Sequence, residues 1–196
     1  GLGDVYKRQA NEYDAVVQIT IGANFSCCYQ NACAAAQEYE NVFVVDSENL
    51  STGQGLLVVA AAKLAEQGLS GAEIAERVRA LAPKVEASFL IECLDYMRKG
   101  GRCSAVAALG ANLLHLKPCI EVRNGKMAVC KKYRGSFEKC IRQYVKERLD
   151  GREDIAPELA FITHAAADAN VVAAAKEEAA QYGSFETVEE TQAGCT

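Results

Sequence analysis

The sequence predicts an α/β protein with two α/β domains, the first built on a parallel sheet and the second carrying an added β-hairpin. Two short apolar runs, residues 15–21 and 42–45, are rich in β-branched side chains and have the near-continuous hydrophobicity of strands covered on both faces. Helical patterns follow both runs, and such alternation is typical of βαβ units. Further on, the dipeptide Asn124-Gly125 favours a two-residue hairpin turn.

The first half of the chain is predicted to contain two strands and three helices, over residues 15–21, 26–39, 42–45, 53–67 and 70–83. Ser26 is the expected N-cap of the first helix, because its side chain can accept a hydrogen bond from a free amide there. Ser70 and Glu73 form a capping box at the start of the third helix. Pro83 marks its end.

The second half is predicted to contain strands over 87–91 and 159–163, a short helix over 104–111, the hairpin, helices over 136–149 and 168–182, and a strand beginning near 186. In the hairpin, a two-residue turn sets Val122 opposite Met127 and Ile120 opposite Val129, all on one face. That face is expected to be covered. The other face, which carries Glu121, Arg123 and Lys126, is expected to be wet.

The predicted organisation has three segments. Residues 1–9 are interpreted as a non-native leader, because residues 3–9 can be translated from a transposon end used in sequencing-library preparation. Residues 10–84 form an incomplete first domain, and residues 85–196 form a second domain that lacks its end. Truncation at both ends is therefore expected.

Composition excludes several classes of protein. The 196 residues carry a net charge of -5, which gives no reason to expect binding to nucleic acid or to an anionic membrane surface. No apolar run reaches the roughly 20 residues of a membrane span. The most apolar stretch, residues 56–65, is too short for one and is interpreted as a buried helix.

The nine cysteines include no Cys-x-x-Cys pair and lie within predicted helices and strands. This distribution favours small apolar residues in a reducing cytoplasm over a disulfide framework. The histidines, His115 and His164, are not near a cysteine pair, so no metal site is expected.

Catalytic motifs are also missing from the sequence. It has no Gly-x-Ser-x-Gly, no phosphate-binding Gly-x-x-x-x-Gly-Lys and no His-Glu-x-x-His. Gly53-Gln54-Gly55 resembles part of a dinucleotide fingerprint but lacks the third glycine at its spacing. The protein is therefore expected not to be an enzyme and to need no cofactor.

A candidate binding loop, Gly22-Ala23-Asn24-Phe25-Ser26, leaves the carboxyl end of the first predicted strand and opens a helix. Open α/β sheets bind ligands at this edge, and a helix N-terminus favours an anion. The loop after the second strand, residues 46–52, is expected to adjoin it. Arg102, which follows Gly100-Gly101, is the candidate cation.

Three segments, IGANFSCCYQNA at residues 21–32, VVDSENLSTGQG at 44–55 and LDYMRKGGRCS at 94–104, resemble the DegV family. The corresponding family segments run roughly ISSGLSGTYQSA, VIDSxxxSxGQG and LxYLxKGGRIS. Leu116-Lys117-Pro118, the Asn124-Gly125 hairpin and Tyr133-Arg134-Gly135 also match. The resemblance covers about residues 13 to 196 in the family's order.

The resemblance implies a bacterial carrier that performs no chemistry and holds a fatty acid in a tunnel between two α/β domains. Gly22, Ala23, Asn24, Ser26 and Arg102 would lie around the carboxylate. The carrier would present this carboxylate to a separate fatty acid kinase. Arg134 is similar to an arginine used for docking that kinase.

The sequence departs from the family pattern in three places. Gly22 and Ala23 stand where hydroxyl residues are usual, which leaves backbone amides and Ser26 to contact the ligand. Cys27-Cys28 replaces Gly-Thr. The family's opening Asp-Ser strand and its C-terminal His-x-Gly-Pro-Gly loop are absent.

Two alternatives remain open at this point. One is an enzyme subunit similar to dihydroxyacetone kinases, which would need a histidine in a polar pocket to engage a small sugar. The other is a regulatory or docking protein for which the lipid is a sensor input.

Overall fold

The computed structural model describes residues 1–92 and 116–193 and divides into two compact units. The first comprises residues 1–88 with 121–128, and the second residues 89–120 with 129–196. The predicted helix over 104–111 lies outside the described residues, as do Arg102 and His115. The mixed α/β class of the sequence prediction is confirmed.

The first unit alternates helices with two strands. Its elements are α1 (Leu2–Glu12), β1 (Val16–Thr20), α2 (Cys28–Ala36), β2 (Val42–Asp46), α3 (Ser51–Glu66), α4 (Gly71–Leu81) and a 3-10 turn (Ala82–Lys84).

Strands β1 and β2 pair in parallel, as predicted. Their register runs from Val16 opposite Val42 to Thr20 opposite Asp46. Because the last residues of the two strands are partners, the segments that follow them leave the sheet at the same edge.

The core of the first unit lies between the sheet and helices α3 and α4. It is made by Ile19, Val45, Leu57, Ile74, Ala75, Val78 and Ala82. In α3, Leu57 with Ala61 and Leu64 forms the stripe that packs on this core. Residues 56–65 do lie in a helix, as predicted, but Val58 is 48% exposed, so the prediction that this helix is buried is wrong. The helix is apolar nearly all round, but it is covered along one stripe.

Capping explains two helix starts. The Ser70 Oγ accepts from the Glu73 amide at 3.3 Å, and the Glu73 carboxylate accepts from the Ser70 amide at 2.9 Å, so the capping box is confirmed. Helix α2 begins at Cys28, with Cys27 as its N-cap, rather than at Ser26. The Ser26 hydroxyl still accepts from the Cys28 amide at 3.3 Å, but Ser26 lies one residue before the N-cap. The helix begins later than predicted because the preceding residues form a turn, in which the Phe25 amide donates to the Gly22 carbonyl.

Helix α1 was not predicted, because residues 1–9 were interpreted as a leader. Its Tyr6 is fully buried and packs edge-on against Tyr39, with ring centroids 6.5 Å apart. The Tyr39 hydroxyl donates to the Gly3 carbonyl at 3.3 Å. The non-native origin of these residues stays a prediction, as do the predicted domain limits.

The remaining elements are β3 (Ala87–Leu90), β4 (Leu116–Arg123), β5 (Lys126–Arg134), α5 (Phe137–Leu149), β6 (Ala160–His164), α6 (Ala169–Tyr182) and β7 (Val188–Gln192). Strands β3, β4 and β5 form a sheet in that order, and β6 pairs in parallel with β7. None of the helices described is long and apolar enough to cross a membrane.

The hairpin turn has the predicted form. Asn124 and Gly125 both have positive φ, 51° and 67°, as a type I′ turn requires. Ile120 and Val122 are buried, while Arg123 is exposed. At the base of the hairpin the prediction of a wet second face is wrong, because Cys119 on that face is buried in a cluster with Tyr133 and Cys140.

Candidate functional site

The candidate site lies in the first unit, at the carboxyl ends of β1 and β2. We call residues 21–27 the first loop and residues 47–50 the second loop. Ligands bind at this edge in open parallel sheets, because helix N-termini and free amides gather there.

Three hydrogen bonds tie the two loops together. The Gly22 amide donates to the Asn49 carbonyl at 2.8 Å. The Asp46 Oδ1 accepts from the Ala23 amide at 3.1 Å and from the Glu48 amide at 2.9 Å. Asp46 therefore positions both loops at once, a role that the sequence analysis did not assign to it.

Within the second loop, Ser47 has a structural role. It is fully buried, and its hydroxyl donates to the Asn49 carbonyl at 3.0 Å and accepts from the Asn49 amide at 3.1 Å. Its own amide extends the parallel ladder to the Thr20 carbonyl at 3.2 Å. Glu48 has a positive φ of 52°, a strained conformation for a residue with a side chain. The hydrogen bonds of Ser47 with the Asn49 backbone, on either side of Glu48, hold the Glu48 backbone in this conformation.

Asn49 and Gly53 fit closely against each other. Asn49 is 2% exposed, and its side-chain nitrogen donates to the Val85 carbonyl at 3.4 Å. A β-carbon at Gly53 would overlap the Asn49 Oδ1 and lie 2.8 Å from its Cγ. At Gly55 the nearest atom is 4.0 Å away, on Thr52. Only the first glycine of this pair is required by close packing.

Gln54, between the two glycines, ties α3 to the sheet. Its side-chain nitrogen donates to the Ile19 carbonyl at 3.0 Å. The Gly53-Gln54-Gly55 motif therefore anchors a helix in the described structure.

The first loop keeps more of its polar groups open. The amides of Gly22, Ala23 and Phe25 are occupied within the protein. Within residues 1–92 and 116–193, those of Asn24, Ser26 and Cys27 have no hydrogen-bond partner. These three amides lie close together in the chain, just before α2. Neighbouring free amides of this kind can bind an anion.

The hairpin tip belongs to the same unit and packs on the first loop. A β-carbon at Gly125 would lie 3.1 Å from the side-chain nitrogen of Asn24 and 3.7 Å from the β-carbon of Glu48. The tip thus limits where the exposed Asn24 side chain can go. The sequence signalled the turn, but not this contact.

The electrostatics of this edge come from Asp46, Glu48 and Arg79. The Arg79 guanidinium donates to the Val44 carbonyl at 2.8 Å. A hydrogen bond with Cys33 and burial raise the pKa of the Tyr29 hydroxyl; the charge of Asp46 adds to the rise and that of Arg79 opposes it. Because two acidic side chains lie on the second loop or at its start, an anionic ligand here needs a cation.

The sequence-predicted site residues are only partly covered by the description. Gly22, Ala23, Asn24 and Ser26 lie together in the first loop. Arg102 lies outside the described residues. Arg134 is exposed at the end of β5, in the second unit.

Metal and histidine chemistry find no support in the described residues. They contain no group of three His, Cys, Asp or Glu side chains that could hold a metal ion. Both ring nitrogens of His164 have local partners: Nε2 lies 3.2 Å from the Glu190 carboxylate, and Nδ1 accepts from the Ala167 amide at 3.3 Å. His164 therefore has the surroundings of a structural histidine.

Fold and loops together define an α/β protein with a candidate ligand site at the carboxyl edge of a parallel sheet. A family model described as an uncharacterised protein of the DegV family matches residues 2–196. The chain belongs to the DegV family.

Similar proteins come from several bacteria. A DegV domain-containing protein of Clostridium acetobutylicum is 37% identical over 137 residues, which are 69% of this chain and 49% of that protein. The chain thus spans about half the length of this curated relative. A solved DegV family protein from Thermus thermophilus, described as binding fatty acid, has a TM-score of 0.81 at 26% identity. The match covers 97% of this chain and 68% of the Thermus chain. A fatty-acid-binding DegV family protein from Streptococcus agalactiae has a TM-score of 0.79 at 27% identity, over 98% of this chain and 69% of that one.

Proposed function

We propose that this protein binds a long-chain fatty acid and performs no chemistry on it. The observation that carries the proposal is the first loop, which offers open amides at a sheet edge fixed by Asp46 and the second loop. The description of the Thermus and Streptococcus proteins as fatty-acid-binding supports the choice of ligand.

In this proposal the carboxylate lies against Gly22, Ala23, Asn24 and Ser26. It accepts hydrogen bonds from the open amides of Asn24 and Ser26, since those of Gly22 and Ala23 already have partners. A buried carboxylate is tolerated when it is hydrogen-bonded and paired with a cation. Arg102 is proposed to supply that cation, which the negative charges of Asp46 and Glu48 make necessary. An acyl chain would add about 0.8 kcal/mol for each CH₂ group buried.

We further propose that the protein is a cytoplasmic carrier that presents the carboxylate to a partner kinase, with Arg134 in the docking surface. Arg134 is exposed, as docking requires.

The ligand is tested by lipid extraction and mass spectrometry of the purified protein, followed by calorimetric titration of the delipidated protein with oleate. We expect co-purified fatty acid and saturable binding. Replacing Arg102 with Gln should weaken oleate binding by about tenfold or more, since a hydrogen bond to a charged group is lost. Protein that is free of lipid and does not bind oleate would overturn the proposal.

Arg134→Gln is the matched variant, because it also removes one arginine charge and puts none in its place. It should leave oleate affinity unchanged and weaken capture of a fatty acid kinase subunit. Equal loss of oleate binding in both variants would contradict the division of roles.

The alternative of a kinase subunit for a small sugar is tested in the same calorimeter with dihydroxyacetone. We expect no binding at His164, because a histidine that engages a ketone needs a free ring nitrogen, and both nitrogens of His164 have partners. His115 lies outside the described residues, so the titration also tests the other histidine. Saturable dihydroxyacetone binding would favour the enzyme.

A further inference from the structure

The second unit contains a pair of thiols unrelated to the candidate site. Cys119 lies in β4 and Cys130 in β5, and each is separated from the turn Asn124-Gly125 by the same number of strand residues. A two-residue turn therefore sets the two cysteines opposite each other across the hairpin. Opposite residues in antiparallel strands have Cα atoms about 4.5 to 5.5 Å apart, within the range that a disulfide spans.

Contacts at the two sulfurs agree with this register. The Cys130 thiol donates to the Cys119 carbonyl at 3.5 Å. One guanidinium nitrogen of Arg148, in α5, lies 3.2 Å from the Cys130 sulfur and 3.9 Å from the Cys119 sulfur. Both sulfurs thus lie beside a single positive charge.

The two thiols differ in access. Cys130 is exposed, whereas Cys119 is 1% exposed. Burial and a hydrogen bond with Cys130 raise the pKa of the Cys119 thiol to about 12. Reactive cysteines in proteins are accessible and lie in electropositive surroundings, whereas burial keeps a thiol protonated and out of reach of an external oxidant. A redox-sensing cysteine often lies next to a second thiol that resolves its sulfenic acid. Cys130 is therefore the thiol that an oxidant reaches first.

We propose that Cys119 and Cys130 form a reversible, peroxide-sensitive thiol pair. A hydroperoxide transfers one oxygen to the Cys130 sulfur, which becomes a sulfenic acid, and the peroxide is reduced to water or an alcohol. The Cys119 sulfur then attacks the Cys130 sulfur and displaces the oxygen as water. The result is a disulfide across the hairpin, which an excess of external thiol reduces again.

The reaction is tested on the whole protein by treatment with hydrogen peroxide, alkylation of the remaining thiols, trypsin digestion and mass spectrometry. Cys130 is the only cysteine in its tryptic peptide, residues 127–131. We expect this peptide to be linked to the peptide of residues 103–123, with fragment spectra that assign the link to Cys119 rather than Cys103. Dithiothreitol should remove the link.

Variants separate this pair from other thiols. Cys130→Ser should abolish the link, and Cys119→Ser should leave Cys130 as a sulfenic acid that a dimedone probe captures. Cys140→Ala is the control, since Cys140 lies in the same cluster as Cys119, and it should leave the link intact. A link from Cys119 to Cys140, or none at Cys130 in the unaltered protein, would overturn the proposal.

Arg148 is assigned a positioning role that a separate measurement tests. Arg148→Gln should slow modification of Cys130 by peroxide about tenfold, as expected when one interaction with a charged group is lost. Arg148→Lys keeps the positive charge and should recover most of the rate. Equal rates in all three proteins would show that the guanidinium has no part in the reaction.

Discussion

The two loops of the candidate site use their polar groups in opposite ways. In the second loop, Ser47 and Asn49 direct their side chains into the protein, where the Ser47 hydroxyl bonds to the Asn49 backbone and the Asn49 side-chain amide group bonds to the Val85 carbonyl. In the first loop, Asn24 is exposed, and its amide, with those of Ser26 and Cys27, is open within the described residues. The second loop builds the edge, and the first loop is free to meet a ligand.

This difference separates two kinds of family residue. The segment from Asp46 to Gly55 matches the DegV pattern closely, while Gly22 and Ala23 in the first loop depart from it. Residues that hold a loop in one shape tolerate little change, because each bond depends on the others. The segment that matches the family pattern most closely is therefore also the one that shapes the candidate site, while the proposed ligand contacts in the first loop include the two departures.

The sharpest test of the scaffold compares two glycines of α3. Gly53→Ala should lower the free energy of unfolding by about 2 to 3 kcal/mol, because its β-carbon overlaps the buried Asn49 side chain. Gly55→Ala should raise it by about 0.5 to 1 kcal/mol, since alanine favours the helix and the nearest atom is 4.0 Å away. Urea unfolding followed by circular dichroism measures both. Equal effects would show that Asn49 does not restrict this helix.

A smaller loss is expected at Asp46. Asp46→Ala leaves the amides of Ala23 and Glu48 without their acceptor and should cost about 2 kcal/mol in the same unfolding experiment. Asp46→Asn keeps a side-chain oxygen and should cost less. If the two variants lose the same stability, the negative charge rather than the shared acceptor holds the loops.

The smallest change in stability is expected at Ala23, one of the two departures from the family in the first loop. Ala23→Ser should alter unfolding by less than about 0.5 kcal/mol and strengthen oleate binding a few-fold, because a hydroxyl donor is added. Gly22→Ser should cost about 1 to 2 kcal/mol, since its β-carbon would lie 3.0 Å from the Phe25 ring and 3.1 Å from the Asn49 amide. A stable Gly22→Ser variant with improved binding would show that the loop rearranges around its ligand.

Most elements of the fold were predictable because their signals are local. Apolar runs located β1 and β2, the Ser70 and Glu73 pair located α4, and the Asn124-Gly125 dipeptide fixed the hairpin turn. In each case neighbouring residues supply the hydrogen bonds or the burial pattern that decides the structure.

The site was less predictable because its contacts join distant segments. The positive φ of Glu48, the overlap between Gly53 and Asn49, and the packing of Gly125 on Asn24 depend on tertiary structure. In the sequence, these contacts were indicated by the Asp46-Ser47 motif alone, because a polar pair at the end of a buried strand lies at the edge of the sheet. The exposure of Val58 was missed because composition does not show how much of an apolar helix its neighbours cover.

The shared acceptor at Asp46 also has a consequence for motion. One carboxylate oxygen accepts a hydrogen bond from an amide in each loop, so a movement of either loop also disturbs the acceptor that holds the other loop. Local opening in proteins follows such cooperative units rather than single residues. The two loops are therefore expected to open together, and the amides of Ala23 and Glu48 to exchange their hydrogens with solvent at a common rate. Entry of a ligand at this edge would then follow a single gating event.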